Sequence, residues 1–134
     1  MTPVATPSTH VESVMRDTVV AVEPSASLHE AALALKVAGV GSLAVMDGAE
    51  VRGIVTERDV VRAIADRADP AATTVAEVMS TGPRYVTLGD HVETALEVML
   101  EAGIRHLPVV EEGELVGIVS IRDLAGALVP PRNR

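Results

Sequence analysis

The 134-residue chain has no cysteine, no tryptophan and no phenylalanine, and its aromatic content is the single Tyr85. Without cysteine it can form no disulfide, no thiolate metal site and no thiol redox switch, and a cytoplasmic protein is the simplest reading. A bound ring system would have to rest mainly on aliphatic side chains. Tyr85 either lines a cleft or sits in the core with its hydroxyl reaching water. Positive charge is scarce too: 11 Lys+Arg face 19 Asp+Glu, a formal net charge of −8. That balance argues against DNA or RNA as a partner and requires any bound anion to find a local basic patch.

Long apolar runs are also missing. Residues 31–46 are the greasiest stretch, but they hold Lys36, Gly39 and Gly41 and are too few to span a bilayer. No membrane association is expected. Residues 1–10, rich in Thr, Pro and Ser, read as a flexible N-terminal tail, and 129–134 as a C-terminal one. Motifs of phosphate-binding loops, nucleophile elbows and cysteine nucleophiles are absent, so the chain is expected not to be an enzyme. His10, His29, His91 and His106 lack ligand spacing, and no metal is expected.

What is present is a duplication. Gly53-Ile54-Val55-Thr56-Glu57-Arg58-Asp59 returns as Gly117-Ile118-Val119-Ser120-Ile121-Arg122-Asp123, an offset of 64 residues. The same offset maps Val14-Met15 onto Val78-Met79, Ala38-Gly39 onto Ala102-Gly103 and Leu43 onto Leu107 without a gap. A fixed period means that one supersecondary unit was copied. Half of such a chain, about 60 residues, would be marginal alone, so the halves are expected to share one module. The predicted organisation is repeat 1 over 11–68, a linker over 69–74 and repeat 2 over 75–128.

Each repeat reads as strand, helix, strand, strand, helix, an α+β (α/β) pattern. In the first, Val19 to Val22 is a strand, and Ser27-x-x-Glu30 is a capping box opening a helix that ends near Gly39. Ser42–Met46 and Val51–Val55 form a hairpin around Asp47-Gly48, and Thr56 caps a helix running to about Ala68. In the second, Arg84 to Thr87 is the strand and Asp90-x-x-Glu93 the capping box. Leu107–Val110 and Leu115–Val119 are the hairpin around Gly113, and Ser120 opens the last helix. Leu33, Val37 and Val98 lie off their helices' apolar stripes, which suggests a second packing partner and a homodimer.

The repeated heptad carries the chemistry. A strand handing over to a helix exposes free N–H groups and the positive end of the helix dipole, an arrangement that accepts anions. Thr56 or Ser120 adds a hydroxyl, Arg58 or Arg122 a cation, and Asp59 or Asp123 a carboxylate suited to ribose hydroxyls. The plainer explanation is that Thr-x-x-Asp and Ser-x-x-Asp are ordinary helix caps. Capping does not require the arginines, nor Gly53 and Gly117, which let a ligand or a neighbouring backbone come close.

These motifs, with Leu107-Pro108-Val109-Val110 and the leading Val-Met segments, resemble tandem CBS domains of the cystathionine β-synthase type from Val11 to about Leu128. The resemblance implies two pseudo-twofold repeats packed into one module, with clefts between them that bind adenosine nucleotides, and modules that dimerise. It further implies that Thr56, Asp59, Ser120 and Asp123 contact phosphate or ribose. Arg105 and His106, in Gly103-Ile104-Arg105-His106-Leu107-Pro108, match the place where the family puts phosphate-contacting basic residues. Repeat 1 departs from this, with Gly41, Ser42 and Ala44 where repeat 2 has Arg105, His106 and Pro108. One strong and one weaker site are therefore expected. The implied function is a regulatory sensor of AMP, ADP, ATP or S-adenosylmethionine that signals to an unnamed protein target, with no required cofactor. The alternative is an interaction scaffold with no nucleotide ligand.

Overall fold

The computed structural model describes residues 9–81 and 84–128; most of the two expected tails, 1–8 and 129–134, lies outside them. The polypeptide gathers into two compact units. A continuous unit takes the described residues of Val19–Pro83, and a discontinuous unit takes those of Met1–Thr18 and Arg84–Arg134.

In the continuous unit, β1 (Ala21–Val22) runs parallel to β2 (Ser42–Asp47), which forms an antiparallel hairpin with β3 (Glu50–Thr56). Helix α1 (Leu28–Ala38) follows β1, and α2 (Glu57–Ala65) follows β3. The short helix α3 (Val75–Val78) leads into β4 (Ser80–Thr81), which pairs antiparallel with β3. Ala31 and Leu35 of α1 pack on Leu43, Val45 and Val55 of the hairpin and on Val75, all buried. Burying an aliphatic side chain of this size contributes about 1.5–3 kcal/mol. The segment expected as a linker is tied to this unit: Leu28 and His29 donate their N–H groups to the carbonyls of Thr73 and Pro70 at 2.8 and 3.0 Å.

The start of α1 is the capping box that the sequence specifies. Glu30 N–H donates to Ser27 Oγ at 3.0 Å, and Ser27 N–H donates to Glu30 Oε1 at 2.9 Å. Helix α1 ends at Gly39 in the left-handed conformation (φ 67°), which glycine adopts without a Cβ penalty. Helix α2 ends at Ala65, three residues before the expected Ala68, where the Asp66 N–H closes on Arg62 and the chain turns through Arg67 at positive φ.

The discontinuous unit repeats the plan with α4 (Val92–Ala102), β5 (His106–Glu111), β6 (Glu114–Ser120) and α5 (Ile121–Leu128). Two expectations fail here. The strand Arg84–Thr87 reduces to a single parallel bridge, Val86 to Val109. The Asp90-x-x-Glu93 box does not form, because Asp90 Oδ2 instead accepts from the Thr87 N–H at 2.9 Å. The N-cap is His91, the residue equivalent to Ser27, and it makes no side-chain cap bond. Glu93 Oε1 is left buried with no hydrogen-bond partner among the described residues. Val98 packs against the core cluster, while Leu33 and Val37 are exposed. Among the described residues no helix is long and apolar enough to cross a membrane.

The two glycines of the repeated heptad have a packing reason. The segment leading repeat 2 closes the sheet of the continuous unit, with Ile54 opposite Ser80. The segment leading repeat 1 does the same in the discontinuous unit, with Ile118 bridged to Arg16. A Cβ on Gly53 would collide with the Ser80 carbonyl oxygen and lie 3.2 Å from Met79 Sδ, and one on Gly117 would lie 2.7 Å from both Arg16 O and Met15 Sδ. A neighbouring backbone, not a ligand, fills the space.

Gly53→Ala and Gly117→Ala should each lose about 1–3 kcal/mol in urea unfolding, the usual cost of overpacking. Gly126→Ala, within α5 and with nothing near its added methyl, should gain up to about 1 kcal/mol. The capping carboxylates also set an acid limit. Backbone and side-chain hydrogen bonds from Ser27 and Thr74 hold the Glu30 and Glu77 carboxyls below the usual value of 4.5. Their contribution is present above the unfolded pKa and disappears as the pH falls through the folded one. Glu30→Gln combined with Glu77→Gln should therefore flatten the acid limb of a stability–pH curve below about pH 4.5.

Candidate functional site

Both strand-to-helix junctions are capping boxes. At the end of β3, Thr56 N–H donates to Asp59 Oδ2 at 2.8 Å and Asp59 N–H donates to Thr56 Oγ1 at 3.2 Å. At the end of β6, Ser120 N–H donates to Asp123 Oδ2 at 2.9 Å and Asp123 N–H donates to Ser120 Oγ at 3.1 Å. The plainer explanation is thus realised twice. Each box uses one carboxylate oxygen, and Oδ1 of Asp59 and of Asp123 has no hydrogen bond among the described residues.

The hydroxyls differ. Thr56 Oγ1 donates its own proton to Asp59 Oδ2 at 3.0 Å, so its donor is occupied. The Ser120 hydroxyl makes no such bond among the described residues and keeps its proton for another acceptor.

The approach to each junction differs in charge. Ile121, the first residue of α5, donates its N–H to the Arg105 carbonyl at 2.8 Å, and His106 pairs with Ser120 across the hairpin. The equivalent contacts in the continuous unit come from Glu57 N–H to Gly41 O at 3.1 Å and from Ser42 opposite Thr56. The strand order therefore brings Arg105, His106, Ser120, Arg122 and Asp123 to one corner. The corresponding corner holds Gly41, the buried Ser42, Thr56, Arg58 and Asp59. Arg58, Arg105 and Arg122 are exposed, and among the described residues none of them joins an ion pair. A guanidinium and a free hydroxyl beside a helix N-terminus can hold an anion, and the adjacent carboxylate can accept from sugar hydroxyls.

The family model of the CBS domain matches residues 11–66 and again 75–130. The chain is a tandem CBS-domain protein. It is 34% identical over 115 residues to the CBS domain-containing protein YhcV of Bacillus subtilis, covering 86% of this chain and 82% of that one. Its fold matches a putative signal-transduction protein with CBS domains from Burkholderia ambifaria with a TM-score of 0.86 and 31% identity, over 94% of this chain and 98% of that one. It also matches the CBS domain protein PAE2072 of Pyrobaculum aerophilum, which was crystallised in complex with AMP. There the TM-score is 0.78 and the identity 31%, over 85% of this chain and 88% of that one.

Within this CBS pair, other polar features stay apart from the two corners. The His10 and His91 rings meet at a tilt of 44° with centroids 5.0 Å apart, where residues 9–11 cross the start of α4. Residues 81 positions apart carry no local signal of such a contact. Among the described residues no three metal-ligating side chains come together. Tyr85 is 52% exposed, so it is not a core residue.

Because both junction hydroxyls act as caps, Thr56→Ala and Ser120→Ala should each cost about 0.5–2 kcal/mol in thermal or urea unfolding. Thr56→Ser should recover most of that loss by restoring the accepting oxygen.

Proposed function

We propose that this CBS pair is a cytoplasmic regulatory module that binds an adenosine nucleotide of the AMP, ADP or ATP type and transmits its occupancy to a protein target. The observation that carries the reading is the gathering of Arg105, His106 and the undonated Ser120 hydroxyl at the α5 start, with Asp123 beside them. The AMP complex of the similar Pyrobaculum protein supports the ligand class. In this reading the Ser120–Asp123 corner is the strong site and the Thr56–Asp59 corner, with Gly41 in place of arginine, the weak one. S-adenosylmethionine offers the same adenosine but no phosphate, so it would gain less from the cations.

The ligand can act on a target only through unequal affinity for two states of the module. Self-association into a homodimer is part of the reading, since Leu33, Val37, Val61 and Ile64 expose apolar surface on α1 and α2. A second reading is an interaction scaffold without a nucleotide. It draws support from the two complete capping boxes, which account for the serine, the threonine and the aspartates without any ligand.

Titration calorimetry with AMP at low ionic strength decides between them. The nucleotide reading expects measurable heat that diminishes with added salt. Asp123→Ala should weaken binding about 10- to 150-fold, the equivalent of about 1.5–3 kcal/mol for a charged hydrogen bond, while Asp59→Ala should change it little. Heat absent with AMP, ADP and ATP at millimolar levels would refute the sensor and leave the scaffold.

A further inference from the structure

Residues 9–11 cross the start of α4 in a fixed register. Val92 N–H donates to Thr9 O at 2.9 Å and Val11 N–H donates to Asp90 O at 2.8 Å, which makes His10 and His91 a directly opposed antiparallel pair with no backbone hydrogen bond between them. Pairs of that kind have the closest backbones, about 4.5 Å between Cα atoms, and their side chains leave on one side. The continuous unit makes the same crossing with Ser27 opposite Thr74, through Leu28 N–H to Thr73 O and Val75 N–H to Ala26 O, both at 2.8 Å. There both hydroxyls serve helix starts: Ser27 Oγ accepts from Glu30 N–H and Thr74 Oγ1 donates to Glu77 Oε2, each at 3.0 Å. At the 64-residue offset, His91 stands for Ser27 and His10 for Thr74. Both members of the pair are thus histidine in one copy, and neither makes a side-chain cap bond at the helix it precedes. Capping does not account for them.

Each neutral imidazole has one nitrogen lone pair to offer. Two imidazoles on one ion, at a metal–nitrogen distance of about 2.0–2.1 Å and a tetrahedral angle, have ring centres roughly 5 Å apart. The His10 and His91 centroids are 5.0 Å apart, with the rings tilted by 44° and so not stacked. Both residues are exposed, so an ion can reach them. The positive end of α4 opposes a cation beside His91, but Glu12, Asp90 and Glu93 lie within two residues of the pair and offset it. We propose that His10 and His91 form a two-histidine site for a divalent transition metal ion of the zinc or nickel type, which clamps residues 9–11 onto the start of α4. Imidazole selects that class over magnesium and calcium, which prefer oxygen. Water completes the shell, since among the described residues no third ligating side chain joins the pair. The site uses no residue of either strand-to-helix junction and stands independently of the nucleotide reading.

Calorimetry and proton NMR of the intact protein with zinc chloride test it. One zinc ion per chain should bind and move the ring signals of two of the four histidines, those of His10 and His91, while magnesium chloride moves neither. His10→Thr combined with His91→Ser gives this crossing the residue types of the other copy, which folds around the same bridge. That variant should keep the metal-free fold and lose the zinc heat, whereas His29→Ala should bind zinc as the parent does. The parent should also gain several degrees in thermal midpoint at a zinc concentration about 100 times the dissociation constant, and the double variant none. Zinc binding unchanged in the double variant, signals that move at His29 or His106 instead, or no zinc heat at all would each overturn the proposal.

Discussion

Each hairpin of this protein is closed on its outer edge by the segment that leads the other repeat, and that closure depends on a strand position with no side chain. Gly53 admits the Met79–Ser80 backbone and Gly117 admits Met15–Arg16. The strand carrying the glycine is thereby paired on both sides, with β2 and β4 flanking β3 in the continuous unit. A strand held on both edges delivers its last residue, Thr56 or Ser120, to a fixed point from which the next helix starts. The same closure makes the compact units differ from the sequence repeats. Each unit takes 11–18 or 75–81 from the neighbouring repeat, so each is built from both copies of the sequence.

The duplication preserves structure and lets chemistry diverge. Both junctions keep the capping box, because a helix start with unsatisfied N–H groups is costly wherever it occurs. Both hairpins keep the same irregularity, at Val45/Met46 and at Val109/Val110. In the first copy the bulged residue is Arg52, which bonds Asp47 and Glu50 at 3.0 Å each on the exposed turn; such pairs contribute little. Around this shared frame, the second copy has Arg105 and His106 at the start of its hairpin where the first has Gly41 and Ser42, and of the two junction hydroxyls that of Ser120 donates no hydrogen bond among the described residues. A protein with a net charge of −8 needs such local concentration to hold an anion, since its mean field is repulsive.

Much of the fold was legible because its signals are local. Ser27 and Glu30 are three residues apart, Asp47-Gly48 sits inside a short loop, and Gly39 immediately follows its helix, so each could be read within one turn of chain. The failures come where a distant contact decides. Asp90 followed by Glu93 has the spacing of a capping box, but residues 9–11 cross the start of α4, with Val11 N–H donating to Asp90 O at 2.8 Å, and the N-cap is His91. Residues 84–87 have strand composition, but only one bridge to β5 forms there. Gly53 and Gly117 mark close approach in the sequence itself, while what approaches is set by the distant leader segments. That the Arg105 carbonyl accepts from the first N–H of α5, and that His106 lies opposite Ser120, depends on strand register, which a single sequence does not state.

The outer faces of the helices show how far the copies have separated. His29, Leu33 and Val37 follow one another at helical spacing along α1, and the same positions of α4 hold Glu93, Glu97 and Glu101. Core positions kept their character across the duplication: Leu28, Ala31 and Leu35 correspond to Val92, Ala95 and Met99, all buried. Burial constrains the inward stripe to apolar residues of suitable size, whereas Leu33, Val37, Glu97 and Glu101 are exposed; Glu93, at the edge of the stripe, is half-buried with its Oε1 shut off from water. One copy therefore presents leucine and valine where the other presents carboxylates. Two like faces of the first kind can lie together with apolar gain, but two of the second kind repel.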